Sequence, residues 1–210
     1  MTIRTAVVLS LAATVVAGGA AVAAPKAAPS CNLVTDAKGD GTGFLLTDMN
    51  YLPNDRNLDL VSGDVAATAK TITAVIRTDA LDLKDSDAPT GRAYYANFTV
   101  DGVELFLSAA LDGAGGATYS GGYIEGRRTR LGEATGVLDT KAQEIRISAP
   151  VSLFAEKAPI KPGKKVLDLN LLAQRYVGDR SAGGVTPSAD EATGGKAYVV
   201  GAPSCAKVGA

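Results

Sequence analysis

The stretch YYANFTVDGVELFLSAAL, Tyr94 to Leu111, decides the fold. Tyr94, Ala96, Phe98 and Val100 recur at every second position, and Val103, Leu105 and Leu107 return in the same rhythm. A period of two belongs to a pleated strand, whose side chains alternate between faces; a helix would repeat near 3.6. Between the two runs stands Asp101-Gly102. Both residues accept the positive φ that a type I′ turn requires, and that turn carries the twist of the strands it joins. The segment predicts a β-hairpin with one face in a core and Tyr95 on the other.

The same period spreads outward. On the N-terminal side, TITAVIR alternates Ile72, Ala74 and Ile76 with Thr71, Thr73 and Arg77. In LDLVSGDVA, Leu58 and Leu60 share a parity that Val65 breaks, so one extra residue, a bulge near Ser62-Gly63, is needed to keep all three inside. On the C-terminal side, DGAGGATYSGGYIEGRRTR reads as a long loop with one short strand around Tyr119 to Ile124. VLDTKAQEIRISA is a second hairpin, with Ile145, Ile147 and Ala149 inward. Pro150 ends it, and Ser152 is placed to cap one helical turn over 153–156. A Pro162-Gly163 turn leads into VLDLNLLAQRYV, with Leu167, Leu169 and Leu171 on one side. A polar glycine-rich loop from Gly178 to Lys196 precedes a last short strand. About nine or ten strands, hairpin connections and at most one short helical turn predict an all-β fold, an antiparallel two-sheet β-sandwich, with Phe98, Leu105, Ile145 and Leu169 in the core.

The flanks set the compartment. Arg4 precedes the apolar run AVVLSLAATVV, which is too short to span a bilayer, and an A-x-A pattern follows at Ala21-Val22-Ala23. This is the pattern of a secretory signal peptide over residues 1–24. It predicts a secreted, extracellular protein with a short linker at 25–30, one domain at 31–205 and a tail at 206–210. The two cysteines, Cys31 and Cys205, lie at opposite ends of that domain. In an exported chain an even count reads as a disulfide, here tying the termini together. The formal net charge of −1 gives no electrostatic case for nucleic acid or an anionic membrane surface, and membrane insertion is not expected.

Asp36 to Asp64 carries six aspartates (Asp36, Asp40, Asp48, Asp55, Asp59 and Asp64), while the first glutamate of the chain is Glu104. Exclusive use of the short acid suits two roles. One is an oxygen-ligand site for Ca²⁺ built from Asp36, Asp40, Asp59 and Asp64, with Gly39 and Gly41 letting the backbone turn closely around the ion. The other is a series of Asx turns and strand ends.

The order D-x-x-G-D (Asp36 to Asp40), LDLVSGDVA, TITAVIR, PTGRAYYANFTVDG, ATGVLD, EIRIS and Tyr198-x-x-Gly-x-Pro-Ser-Cys205 resembles secreted actinobacterial domains of uncharacterised function. Those in turn are similar to the β-sandwich superfamily of DOMON-like domains and family 9 carbohydrate-binding modules. The resemblance covers nearly all of 31–205. It implies a structural Ca²⁺ on acidic residues near the start of the domain, and a sugar clamped by aromatic side chains. Tryptophan is absent altogether here. Haem-binding relatives use Met and His ligands; this chain has no histidine and, past Met1, only Met49, so haem is not expected.

Tyrosines are therefore the aromatic candidates: Tyr95, Tyr119, Tyr123 and Tyr176. They serve either as amphipathic platforms for a ligand or as covers for sandwich edges and corners. Arg127, Arg128 and Arg130 form a short basic spot that reads as a solvated turn. Without histidine, Ser-His-Asp and Cys-His catalysis and His-rich zinc sites are excluded. No glycine-rich phosphate loop lies between a strand and a helix, so no nucleotide is expected. The chain reads as a secreted non-catalytic binding module for a glycan or cell-envelope component. The alternatives are a structural or protein-interaction domain accessory to a secreted hydrolase, with a secreted protein partner, and a hydrolase using two carboxylates.

Overall fold

The computed structural model describes residues 27–45, 50–84, 90–177 and 188–208 of the chain; the expected signal peptide and Asp48 lie outside them. The central hairpin is built as predicted. Strand β6 (Thr90–Val100) and β7 (Val103–Leu111) pair in register from Arg92↔Leu111 to Val100↔Val103. Asp101 and Gly102 take φ of 51° and 80°, the two positive values of a type I′ turn.

Twelve further strands flank it: β1 (Val34–Thr35), β2 (Thr42–Leu45), β3 (Asn50–Pro53), β4 (Leu60–Ala67), β5 (Thr71–Thr78), β8 (Ala117–Glu125), β9 (Arg127–Glu133), β10 (Thr135–Asp139), β11 (Glu144–Pro150), β12 (Lys165–Val177), β13 (Ser188–Ala192) and β14 (Tyr198–Val199). They form a five-stranded sheet ordered β1-β4-β5-β11-β10 and a seven-stranded one ordered β13-β12-β6-β7-β8-β9, with β14 pairing β12. A separate hairpin joins β2 to β3. Ladder pairing is antiparallel throughout, so the all-β sandwich stands. The strand count exceeds the expected nine or ten because several of the extra strands have only two to five residues, too short to register as periodicity.

Leu58, Leu60, Val65, Ile72, Phe98, Leu105, Ile145 and Leu171 meet in one buried core between the sheets. The bulge predicted near Ser62-Gly63 falls between Leu60 and Ser62, where the β4–β5 register shifts. Three local expectations are corrected. Leu167 does not join Leu169 and Leu171 inside. The β6–β12 register shifts between Leu167 and Asn170, Asp168 takes a φ of 51°, and Leu167 is left 37 % exposed. The helical turn is a 3₁₀ turn, Val151–Phe154, which begins after Pro150 and has no side-chain cap, so Ser152 does not cap it. The arginine spot is no turn: Arg127, Arg128 and Arg130 lie on β9, the edge strand of the larger sheet. Only Ala134 separates β9 from β10, so the chain passes there directly from one sheet to the other.

The chain ends are held together. Cys31 and Cys205 form a disulfide with their Cα atoms 5.0 Å apart. Beside it, Ser30 N–H donates to Pro203 O (3.1 Å) and Cys205 N–H to Ser30 O (2.9 Å). Past the bond, Ala206 is buried and Val208 packs against the core.

Candidate functional site

Two places gather chemistry: an acidic group at one edge of the sandwich, and a cleft on the outer face of the seven-stranded sheet.

The acidic group begins with the D-x-x-G-D turn that follows β1. Asp36 and Asp40 meet Asp190, a residue of β13, with one carboxylate oxygen of each lying within 4.8 Å of the others. Asp190 is fixed in place: its Oδ2 accepts from Leu60 N–H (2.7 Å) and its Oδ1 from Glu191 N–H (2.9 Å). Burial pushes its pKa up to about 6, with the charges of Asp36 and Asp40 adding to the effect. Asp59 stands beside this group. Its Oδ2 accepts from Gly39 N–H (2.7 Å) inside the turn, and a side chain at Gly41 would land 2.7 Å from Asp59 Cα. Burial raises the Asp36 and Asp59 pKa values as well, and Asp40 adds to both.

Two oxygens in this group lack hydrogen-bond partners among the described residues although both are buried, Asp36 Oδ2 and Asp59 Oδ1. A buried carboxylate oxygen without a donor costs free energy, and mutual repulsion among the carboxylates adds to that cost. A hard cation would remove both. The donors are all carboxylate oxygens and Asp40 is open to solvent; that set suits Ca²⁺ far better than a softer metal.

Asp64, the fourth expected ligand, has another task. It lies on the outer face of the smaller sheet, where Arg77 Nη1 donates to its Oδ2 (2.7 Å) and Leu33 N–H to its Oδ1 (3.2 Å). Arg77 also pairs with Glu144, and Glu144 with Arg146, giving a ladder of alternating charge across β4, β5 and β11. Asp55 is likewise committed to an ion pair with Arg175 (2.9 Å), both side chains 6 % exposed. Sequence proximity suggested Asp64; strand parity removes it. Asp190 was missed because only the β12–β13 pairing brings it to Asp36, more than 150 residues away in sequence.

The cleft has a volume of about 780 Å³ and is lined by Tyr95, Phe106, Tyr176, Ser108, Ser120 and Thr118, with Arg128, Arg130 and Glu133 along the β9 side. Its floor is a second apolar cluster, separate from the core: Ala93, Tyr95 and Phe106, with Ile124, Leu172 and Tyr176 packed around them. Tyr95 and Phe106 meet edge to face, ring centroids 6.2 Å apart. Glycine makes the close approaches possible. A Cβ on Gly122 would lie 2.6 Å from the Phe106 ring, and one on Gly91 2.3 Å from the ring of Tyr176. The Tyr176 hydroxyl donates to Leu111 O (2.7 Å), and the Ser108 and Ser120 hydroxyls are 2.8 Å apart. The Arg128 guanidinium lies over Tyr95, 4.2 Å from the ring centroid. Arg130 is paired with Glu133.

Of the four tyrosines, Tyr95 and Tyr176 face this cleft. Tyr119 also lines it, but its ring lies against Gly136 of β10 and packs on the core. Tyr123 packs on the core too, with the Lys157 ammonium 4.0 Å above its ring. Both share the parity of Ala109 and Leu105, which face inward, and so they cover the sandwich edge instead of forming a platform. Phe106 escaped the sequence reading, although its position between Leu105 and Leu107 places a large apolar ring on the outward parity.

Among the described residues no helix is long and apolar enough to cross a membrane. Comparison with protein-family models, with curated proteins and with solved structures finds no match.

Proposed function

We propose that this chain is an exported, non-catalytic binding module that holds a glycan or other cell-envelope component on the outer face of its seven-stranded sheet, with one structural Ca²⁺ at the acidic edge. The observation that carries the reading is the cleft itself: an aromatic floor, a hydroxyl pair and a cationic side converging on one sheet face. Sugars present alternating apolar faces and hydroxyls, and flat amphipathic rings beside hydroxyl groups complement both. The opposite outer face pairs its charges with one another along the Asp64-Arg77-Glu144-Arg146 ladder and offers less to a partner. A two-carboxylate hydrolase fits the cleft poorly, since Glu133 is its one lining carboxylate among the described residues and is held by Arg130. Asp190 has a raised pKa, but it lies at the acidic edge beside Asp36 and Asp40 and does not line the cleft.

The expected result is retention on insoluble polysaccharide or purified cell wall, abolished in Thr118→Trp, which fills the cleft from an exposed strand position, and weakened in Tyr176→Ala. Equal retention of the wild type and both folded variants would reject the cleft as the binding site.

For the metal, Asp36, Asp40 and Asp190 would hold the ion, with Asp59 supporting them. Added Ca²⁺ should raise the melting temperature and chelator lower it. Stabilisation by mass action is about 2.7 kcal/mol at a hundredfold excess over the dissociation constant, or several degrees for a domain of this size. Asp36→Ala and Asp190→Ala should each remove the response. The pH dependence has a definite sign. With carboxyl pKa values raised in the native state, the metal-free protein binds more protons folded than unfolded between about pH 4 and 6, so its stability falls as pH rises through that window. The ion replaces those protons, so the Ca²⁺ response should be small at pH 4.5 and full at pH 7.5. A melting curve indifferent to Ca²⁺ and chelator at pH 7.5 would leave these aspartates as turn formers.

A further inference from the structure

We propose that the saccharide taken by the outer-face cleft carries a carboxylate, and that Arg128 receives it; this rests on the reading of that face as a glycan site. Among the described residues, three charged side chains line the cleft. Arg130 and Glu133 neutralise each other, which leaves one net positive charge, on Arg128. The Arg128 side chain is exposed and makes no ion pair or hydrogen bond with the described residues; its one contact of note is with the Tyr95 ring. A guanidinium held over an aromatic face keeps its N–H donors for a second partner, and their planar fork matches a carboxylate through two parallel hydrogen bonds. Part of the ordering cost of a long side chain is met before the ligand arrives, because the ring already positions it.

The chain as a whole carries a net charge of −1, so attraction of an anion is a property of this cleft and not of the molecule. The choice of a uronate sugar over a polyol phosphate follows from the floor. The half-buried Tyr176, beside the buried Phe106 and the Tyr95 ring that Arg128 covers, forms an apolar bed, and the mutually bonded Ser108 and Ser120 set hydroxyls beside it. A pyranose ring has an apolar face to lay on that bed and hydroxyls to pair; a flexible polyol phosphate chain has no such face.

The test is calorimetric titration at low ionic strength with oligosaccharides of galacturonate, mannuronate and glucuronate, their methyl esters, and an oligomeric glycerol phosphate. The proteins are the wild type, Arg128→Gln and Arg128→Lys. At least one uronate should bind about tenfold or more tightly than its ester, the loss expected for a charge-assisted bidentate contact. Arg128→Gln should erase that preference, and Arg128→Lys should restore only part of it. Acid and ester binding alike would overturn the carboxylate assignment while leaving the glycan face standing. Preference for the phosphate oligomer would overturn the choice of sugar. No binding of any saccharide would overturn this proposal and the glycan reading together.

Discussion

Replacing Phe98 with alanine should destabilise the domain by about 3–5 kcal/mol, the range for truncating a fully buried aromatic ring. Phe98 sits on the inner face of β6, near the middle of the larger sheet, and no part of it reaches solvent. Its neighbours are set by strand pairing: Leu105 stands directly opposite on β7, and Phe154 of the 3₁₀ turn meets its ring edge to face at 6.4 Å. Strands on both sides fix those positions, so the surroundings have little freedom to collapse into the space left behind. Chemical denaturation should show a lower midpoint with an unchanged slope, which assigns the loss to stability and not to a changed unfolded state. A cost under about 1 kcal/mol would mean that Phe98 is not the centre of the core.

Removing the disulfide by replacing Cys31 and Cys205 with serine should cost about 2–5 kcal/mol. The bond closes a separation of 174 residues, essentially the whole domain, so the unfolded chain gains much freedom when it is cut. The loop-entropy argument gives about 5 kcal/mol as an upper figure. Local contacts temper the native-state effect, because the hydrogen bonds from Ser30 to Pro203 and Cys205 to Ser30 still hold the ends side by side. Non-reducing mass spectrometry of native protein should find one peptide linking the two cysteines and no alkylatable thiol. Two free thiols in native protein would refute the bond.

What was legible in the sequence followed from local chemistry. The Asp101-Gly102 turn, the bulge before Ser62 and the inward sets of β5, β6, β7 and β11 are properties of neighbouring residues, and period two reads them directly. What escaped is made by pairing across long separations. Strand β13 is five residues of SADEA inside a glycine-rich segment, and nothing local announces that it will edge the larger sheet and deliver Asp190 to Asp36. Strand β9 was hidden for a related reason: RRTRLGE has edge-strand composition, with charges where solvent and not a neighbouring strand will lie. Misplacing β9 as a turn removed the cationic side of the cleft from view. The split among the tyrosines was half legible. Tyr95 could be turned outward from its hairpin partners, whereas Tyr119 and Tyr123 needed the β7–β8 register to be turned inward.

The central claim is a division of labour, with recognition on the outer face of the seven-stranded sheet and the cation confined to the acidic edge. Backbone amide chemical shifts of the isotope-labelled protein test it most directly, recorded during separate titrations with solubilised cell-wall glycan and with Ca²⁺. The glycan should perturb amides of β6 to β9 around Tyr95, Phe106, Ser120 and Arg128, and leave the Asp36–Asp40 turn unmoved. Calcium should perturb that turn together with Asp59, Leu60 and Asp190, and leave the cleft unmoved. Glycan shifts confined to the smaller sheet, or to the acidic turn, would contradict the account.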